Sequence, residues 1–268
     1  MERELVFVKL GGSVITDKNR PYTERREVIT RLANEIHSSR VREKISLIVG
    51  HGGGSYPHVP AQEYKTHLGL LSQESRKGAA LVQNAASSLN RIVVDTFLKA
   101  GEPAVSIQAS ASAVAKDSKI VRWDLEAVRL MLESDLLPVP YGDLGLDITK
   151  GVCILSTEEI FRFLASQLKP RRVIIGTNVN GVYDSDPQIN RHAKKIPLIT
   201  TDNAKDVLPS LGGANTIDVT GGMRSKIQTL LQLVRETETE CLVIGLLVPG
   251  ALEEALNGET EKGTLIRR

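Results

Sequence analysis

The sequence has only two cysteines, Cys153 and Cys241, far apart and each inside an apolar run. That excludes a disulfide-stapled scaffold and a zinc site of paired cysteines, and leaves buried free thiols in a reducing compartment. An excess of either charge is also missing. Lys+Arg total 34 and Asp+Glu total 32, a net charge of +2, too mild for nucleic acid to be the main partner. The basic pairs Arg25-Arg26, Arg171-Arg172 and Lys194-Lys195 are scattered and read as solvated surface. No apolar run approaches the roughly 20 residues of a membrane-spanning helix. The opening MERELVFVKL has no apolar stretch of signal-peptide kind, so a cytoplasmic protein without a membrane partner is expected. Internal repeats, low-complexity tracts and long polar linkers are absent too.

What is present is alternation. The 268 residues suffice for one large domain or two small lobes around a shared core. Leu5–Leu10, Ser46–Val49, Ala104–Ile107, Leu137–Val139, Val173–Gly176 and Cys241–Leu246 read as buried strands. Between them Arg25–Ser38, Gln73–Ala100, Trp123–Glu133, Thr157–Leu168 and Gly222–Glu236 carry helical periodicity. This order predicts an α/β fold, a mostly parallel sheet sandwiched by helices with right-handed crossovers. Ligands of such sheets bind beyond the carboxyl ends of the strands. Gly142–Ile154 breaks the alternation, and its Asp147–Gly151 turn predicts a hairpin, placed as a flap at the cleft mouth. Pro170 marks a hinge between two lobes of a single domain, 1–170 and 171–268.

The strand ends carry the chemistry. The run Ile45 to Val49 leads into Gly52-Gly53-Gly54, and His58 follows four residues after the last glycine. Such a turn brings backbone N–H groups close to an anion, and a histidine at its rim adds a donor and a charge near neutral pH. Lys9 lies inside an apolar strand that ends in Gly11-Gly12-Ser13. A lysine there either serves an anion or partner, or snorkels to water before an ordinary turn. A third strand runs into Gly176-Thr177-Asn178-Val179-Asn180-Gly181-Val182-Tyr183, with Asp186-Pro187 beyond, a loop suited to a sugar and a base edge. A fourth stretch, Asp218-Val219-Thr220-Gly221-Gly222, opens a helix with Thr220 as its cap and Lys226 one turn in, where an anion is favoured. No Gly-Lys-Ser/Thr closes the glycine loop and no G-x-G-x-x-G occurs, so neither a Walker A loop nor a dinucleotide site is expected. Together these features suit neutralising a polyphosphate and the charge that moves when its end group is transferred.

In this order K-L-G-G-S, H-G-G-G-S, G-T-x-V-x-G-V-Y-x-x-D-P and D-V-T-G-G-M-x-x-K resemble the amino acid kinase superfamily, from Lys9 to about Arg267. K-L-G-G-S-V-I-T-x-K, the histidine after the glycine loop, P-V-x-Y-G-D and D-V-T-G-G-M resemble the isopentenyl phosphate kinases within it. The resemblance implies transfer of the γ-phosphoryl of ATP to isopentenyl phosphate, with Mg2+ as cofactor, a homodimer, and a role in isoprenoid biosynthesis by a mevalonate route. It implies Lys9, Lys18, Lys226, His58 and Glu158 as the catalytic set. Gly11, Gly12, Ser13, Gly53, Thr177, Asn178, Gly181, Val182, Tyr183, Asp186 and Gly222 would hold the nucleotide, with Lys9 and Lys226. Gly52, Gly53, Gly54, His58 and Thr157 would hold a small alkyl phosphate. A fosfomycin kinase shares the glycine loop and histidine and is the alternative. A non-catalytic nucleotide sensor is the reading from another class.

Several positions depart from the family pattern. Pro57 replaces a glycine and fixes φ beside His58. Ser156-Thr157-Glu158 stands where S-G-D is usual, and either Glu158 or, by a small register shift, Glu159 can orient the lysines. Asn178 and Asn180 replace aspartates. For an isoprenoid tail the helix Gln73–Ala100 is expected to wall a pocket with Ala79, Ala80, Val82 and Ala86.

Overall fold

The first strand decides which way the fold faces. In the computed structural model, which describes residues 3–43, 45–211, 222–259 and 261–268, β1 (Leu5–Leu10) sends Val6, Val8 and Leu10 into one apolar cluster and Phe7 into another. Successive side chains of a strand point to opposite faces. Lys9 therefore shares the face of Phe7.

The chain continues through α1 (Gly12–Ile15), α2 (Arg26–Glu43), β2 (Ser46–His51), α3 (His58–Glu63), α4 (Gln73–Lys99) and β3 (Ala104–Ile107). Its middle adds β4 (Val114–Lys116), β5 (Lys119–Arg122), α5 (Glu126–Glu133), β6 (Leu137–Pro140), β7 (Asp143–Asp147) and β8 (Gly151–Leu155). Then come α6 (Thr157–Leu168), β9 (Arg172–Thr177), β10 (Val182–Tyr183), β11 (Lys195–Ile196), β12 (Leu198–Thr200) and α7 (Ala204–Val207). The last described elements are α8 (Gly222–Thr237), β13 (Glu240–Gly245), α9 (Ala251–Leu256) and β14 (Thr264–Arg267).

Six strands form one sheet in the order β12-β14-β13-β9-β1-β2. Every pairing in it is parallel except β13 with β14. A single parallel bridge, His51 to Tyr141, carries the order on from β2 towards β6, which pairs in parallel with β3. The mostly parallel sheet expected from the alternation is therefore formed. One face is covered by Ile29 and Leu32 of α2, Leu89 and Val93 of α4, and Leu252 of α9. The other is covered by Phe161 and Leu164 of α6 and Leu230 and Val234 of α8. The Phe7 and Phe161 rings meet there with centroids 5.2 Å apart.

The hairpin predicted in Gly142–Ile154 forms as β7 and β8, paired from Asp143–Leu155 to Asp147–Gly151. It belongs to a second sheet, β5-β4-β7-β8. Asp147 stabilises the turn by accepting from the amides of Thr149 and Lys150. The chain passes Pro170 directly into the main sheet: Arg171 N–H donates to the Leu5 carbonyl, and β9 pairs with β1. Among the described residues no helix is long and apolar enough to cross a membrane.

Two boundaries differ from the sequence expectation by three residues or more. The second helix runs on to Glu43, because Arg40 pairs with the buried Glu102 and with Asp135 and so outweighs the weak Ser38-Ser39. The helix expected from Trp123 starts at Glu126. Trp123 instead donates its indole N–H to Ser112 Oγ and stacks on Phe163.

Candidate active site

Strands β1, β2 and β9 and the start of α6 open on one cavity. Lys9, Gly11, Gly12, Ser13, Lys18, Gly52, Gly53, Gly54, Pro57, His58, Thr157, Glu158, Thr177 and Lys226 line it, with Ala61, Gly142, Ile154, Leu155, Ser156 and Gly176. Every residue of the expected catalytic set is in that lining. So are all the expected acceptor residues.

The glycines are needed first of all for packing. A Cβ on Gly12 would stand 2.4 Å from the Gly54 nitrogen, and one on Gly11 2.3 Å from the Gly176 oxygen. The three strand-end loops thus touch backbone to backbone, and side chains would wedge them apart. Gly54 also has φ +54°, and a Cβ there would meet Thr16 Oγ1 at 2.0 Å. The Gly52 N–H donates to the Leu10 carbonyl, which ties the glycine loop to the end of β1.

The charge in the cavity is organised around Glu158. Lys9 Nζ lies 2.5 Å from Glu158 Oε2, and both side chains are buried. Burial alone would raise the Glu158 carboxyl, yet the charges of Lys9 and then Lys226 hold it below the usual carboxylate range. Glu158 sits in the first turn of α6, capped by Ser156, where a carboxylate also complements the helix dipole. Lys9 is therefore the paired, buried lysine of the two sequence alternatives. The register question resolves in the same way. Glu159 is engaged elsewhere, accepting from the Ile120 amide and both Nε and Nη2 of Arg162, each at 2.8 Å. Arg162 in turn reaches Glu236 of α8 at 2.7 Å. Those bonds fasten α6, which presents Glu158, to α8, which presents Lys226.

Pro57 leaves His58 on the cavity wall. It adopts φ −76° and ψ −17°, a conformation compatible with its ring, and starts α3. A Cβ on Gly53 would stand 2.2 Å from Pro57 Cγ, so the proline ring packs directly over the glycine loop. Thr157 Oγ1 donates to the His51 carbonyl at 2.7 Å, joining α6 to the end of β2. Lys18 lies on the turn between Thr16 and Glu24, which bridge as an antiparallel pair.

Sequence reasoning missed His51. It is fully withdrawn from water, and its ring stacks on Tyr141 at 5.6 Å. Nδ1 lies 3.1 Å from the Gly52 carbonyl and Nε2 3.1 Å from Asn90 Nδ2. These partners assign a neutral ring that donates from Nδ1 and accepts at Nε2. Burial, aided by the charge of Lys9, pushes its pKa down to about 4. The available signal was a polar residue at the inner end of an apolar strand, overshadowed by the glycines after it.

Some expected nucleotide residues are not brought to this cavity. Asn178, Gly181, Val182, Tyr183, Asp186 and Gly222 lie outside its lining. Asn178 Oδ1 accepts from Ser13 Oγ at 3.3 Å, so it adjoins the wall. Val182 is fully buried in the core, and Tyr183 pairs with Lys195. Asp186 is exposed and accepts from the Gln188 amide. Asn180 accepts from the Gly245 amide at 3.4 Å. Gly222 opens α8. The Asp218–Gly221 stretch, with its expected cap Thr220, falls outside the described residues.

The expected apolar wall on the long helix needs correction. Ala80 is exposed, and Ala86 packs in the interior. Ala79 and Val82 pack with Ala61, Leu144 and Val152 and touch Ile154, one layer behind the cavity. The aliphatic side chains at the surface of the cavity are Ala61, Ile154 and Leu155, beside the ring of Pro57. The helix backs the apolar side of the site, because α3 and the β7–β8 hairpin stand between.

The model of the Amino acid kinase family matches residues 4–245. An isopentenyl phosphate kinase of Methanothermobacter thermautotrophicus is 38% identical, with 98% of each chain covered. That of Methanocaldococcus jannaschii is 34% identical, with 96% of each chain covered. A solved isopentenyl phosphate kinase superposes with a TM-score of 0.84 at 34% identity, covering 98% of this chain and 99% of the other.

Proposed function

The chain belongs to the amino acid kinase family and, within it, to the isopentenyl phosphate kinases, and on that premise we propose that it transfers the γ-phosphoryl group of ATP to isopentenyl phosphate, giving isopentenyl diphosphate and ADP. The observation that carries this reading is the Lys9–Glu158–Lys226 charge cluster beside the glycine loop and His58 in one cavity. Its net positive charge and backbone cradle suit two phosphate groups brought together for in-line transfer.

An oxygen of the acceptor phosphate attacks the γ-phosphorus. The new P–O bond forms as the bond to the β–γ bridging oxygen breaks, and ADP leaves with that electron pair. The acceptor phosphate is already largely ionised near neutral pH, so no general base is needed. Gly53, Gly54 and His58 hold the acceptor phosphate. Gly11, Gly12 and Ser13 hold the ATP phosphates, with Gly222 at the start of α8 on the same side, and the 177–186 segment serves the nucleoside. Lys9, Lys18 and Lys226 neutralise the charge in transit, and Glu158 aims Lys9 through their ion pair. Ala61, Ile154 and Leu155 give the hydrocarbon tail an apolar side.

Magnesium belongs to this proposal as part of the nucleotide substrate. Glu158 is the one carboxylate among the described lining residues, and its Oε2 is taken by Lys9. Among the described residues no cluster of three metal-ligating side chains occurs. That donor set does not form a magnesium cage of its own, which fits an ion carried in on phosphate oxygens. The same reading places the enzyme in isoprenoid biosynthesis by a mevalonate route, as a homodimer, which sedimentation checks.

Phosphorus-31 NMR of the protein with MgATP and isopentenyl phosphate tests the reaction. Growth of two coupled diphosphate resonances as the monoester signal declines is the expected result. An unchanged monoester signal, with fosfomycin consumed instead, transfers the assignment to a phosphonate kinase.

A further inference from the structure

The turn that carries Lys18 is joined to the acceptor loop at several points. Ser55 N–H donates to Thr16 Oγ1 at 3.0 Å. The amides of Tyr22 and Thr23 donate to the Ser55 carbonyl and Ser55 Oγ, each at 3.3 Å. Beyond these, Tyr56 Oη donates to Glu24 Oε2 at 2.6 Å, and Arg26 holds the other carboxylate oxygen at 2.7 Å. Tyr22 packs edge-on against the Tyr56 ring, centroids 5.5 Å apart. Its φ is +51°, a left-handed conformation uncommon for a bulky residue and kept only where surroundings over-determine it.

These contacts have a direction. Tyr56 lies two residues before His58, and Glu24 closes the turn on which Lys18 stands. Lysine has a long flexible stem, so the place of its ammonium group depends on how firmly its backbone is held. A charge-assisted bond from a buried tyrosine is stronger than a neutral one and is shielded from competing water. The Tyr56 hydrogen bond, ahead of the charge of Arg26, holds the Glu24 carboxyl below its ordinary range. Glu24 therefore accepts as a carboxylate throughout the neutral range.

We propose that Tyr56 and Glu24 tether the Lys18 turn to the acceptor loop, making Tyr56 a positioning residue that acts on phosphoryl transfer through Lys18. The inference rests on the phosphotransfer reading above, and it adds a coupling: the loop that holds the acceptor also sets the lysine that meets the donor.

Tyr56→Phe removes the hydroxyl and keeps the ring against Tyr22. Its expected effect is about a tenfold loss of kcat with both KM values within about twofold, the scale of one lost hydrogen bond to a charged group. Glu24→Gln retains an acceptor oxygen and is expected to stay within about threefold of the parent. In a Lys18→Ala background, Tyr56→Phe is expected to cost less than about twofold, because its target is already gone. A full tenfold loss in that background, or a parental rate for Tyr56→Phe, overturns the proposal. Hydrogen exchange supplies a readout independent of turnover. Faster exchange of the Tyr22 and Thr23 amides in Tyr56→Phe is expected, and unchanged exchange overturns the tether even if the parent proves inactive with isopentenyl phosphate. Inactivity of the parent with altered exchange counts against the acceptor assignment and leaves the tether standing.

Discussion

Lys9 Nζ and Glu158 Oε2 stand 2.5 Å apart, with side-chain exposures of 8% and 5%. A strand end and a helix start, 149 positions apart in the sequence (158 − 9), deliver opposite charges to one dry point. Neither charge is tolerable there alone. Lys226 approaches the same carboxylate from α8, so the two lysines share one counter-charge and leave positive charge over for phosphate.

Removing that counter-charge should harm folding and turnover together. Glu158→Gln leaves a buried ammonium uncompensated, and the expected loss of stability is about 3–5 kcal/mol. Urea unfolding measures it. Steady-state kinetics should show kcat falling by about a hundredfold or more, with Glu158→Asp between the two. The carboxyl also imposes a pH limit. Its folded pKa lies below the unfolded one, so its contribution is present above the unfolded carboxylate range and is lost as pH falls through the folded value.

Gly12→Ala tests whether the phosphate loops depend on backbone contact. The added methyl would stand 2.4 Å from the Gly54 nitrogen. Neither side can yield without moving a loop, so about 1–3 kcal/mol of destabilisation is expected. Activity should fall by more than tenfold while far-ultraviolet circular dichroism is unchanged. Full activity would mean that the loops separate without consequence.

His51 predicts an acid limit of its own. Its pKa falls from 6.5 in the unfolded chain to about 4 in the fold. The unfolded state therefore binds more protons between those values, and stability present above pH 6.5 is lost as pH drops towards 4. The loss from this group between pH 7 and pH 5 comes to about 2 kcal/mol. Urea midpoints at the two pH values should show a steeper decline for the parent than for His51→Gln. Equal slopes would mean that the ring does not stay neutral.

How much of this was legible in the sequence depended on the range of the forces involved. The apolar runs at Leu5–Leu10 and Thr157–Leu168 fold with the boundaries their patterns suggest, because each is long enough to show its period and is buried along it. The two-residue strands β10 and β11 have no period to read and exist through tertiary pairing. Lys9, Lys18, His58 and Lys226 were readable as a set from their motifs. That Glu158 and not Glu159 meets the lysines was not, since it depends on Arg162 and the Ile120 amide claiming Glu159 from distant parts of the chain. His51 and Asn90 were hidden for the same reason: their partners are set by packing, and no spacing announces it.

The central claim is that this cavity transfers phosphoryl from ATP to a phosphate group on a short hydrocarbon. The most direct measurement is ADP release from MgATP with isopentenyl phosphate, with the parent alcohol, and without acceptor. Rapid ADP formation with the phosphate and only background release in the other two is the predicted result. Equal release in all three, or release with the alcohol matching that with the phosphate, would contradict it.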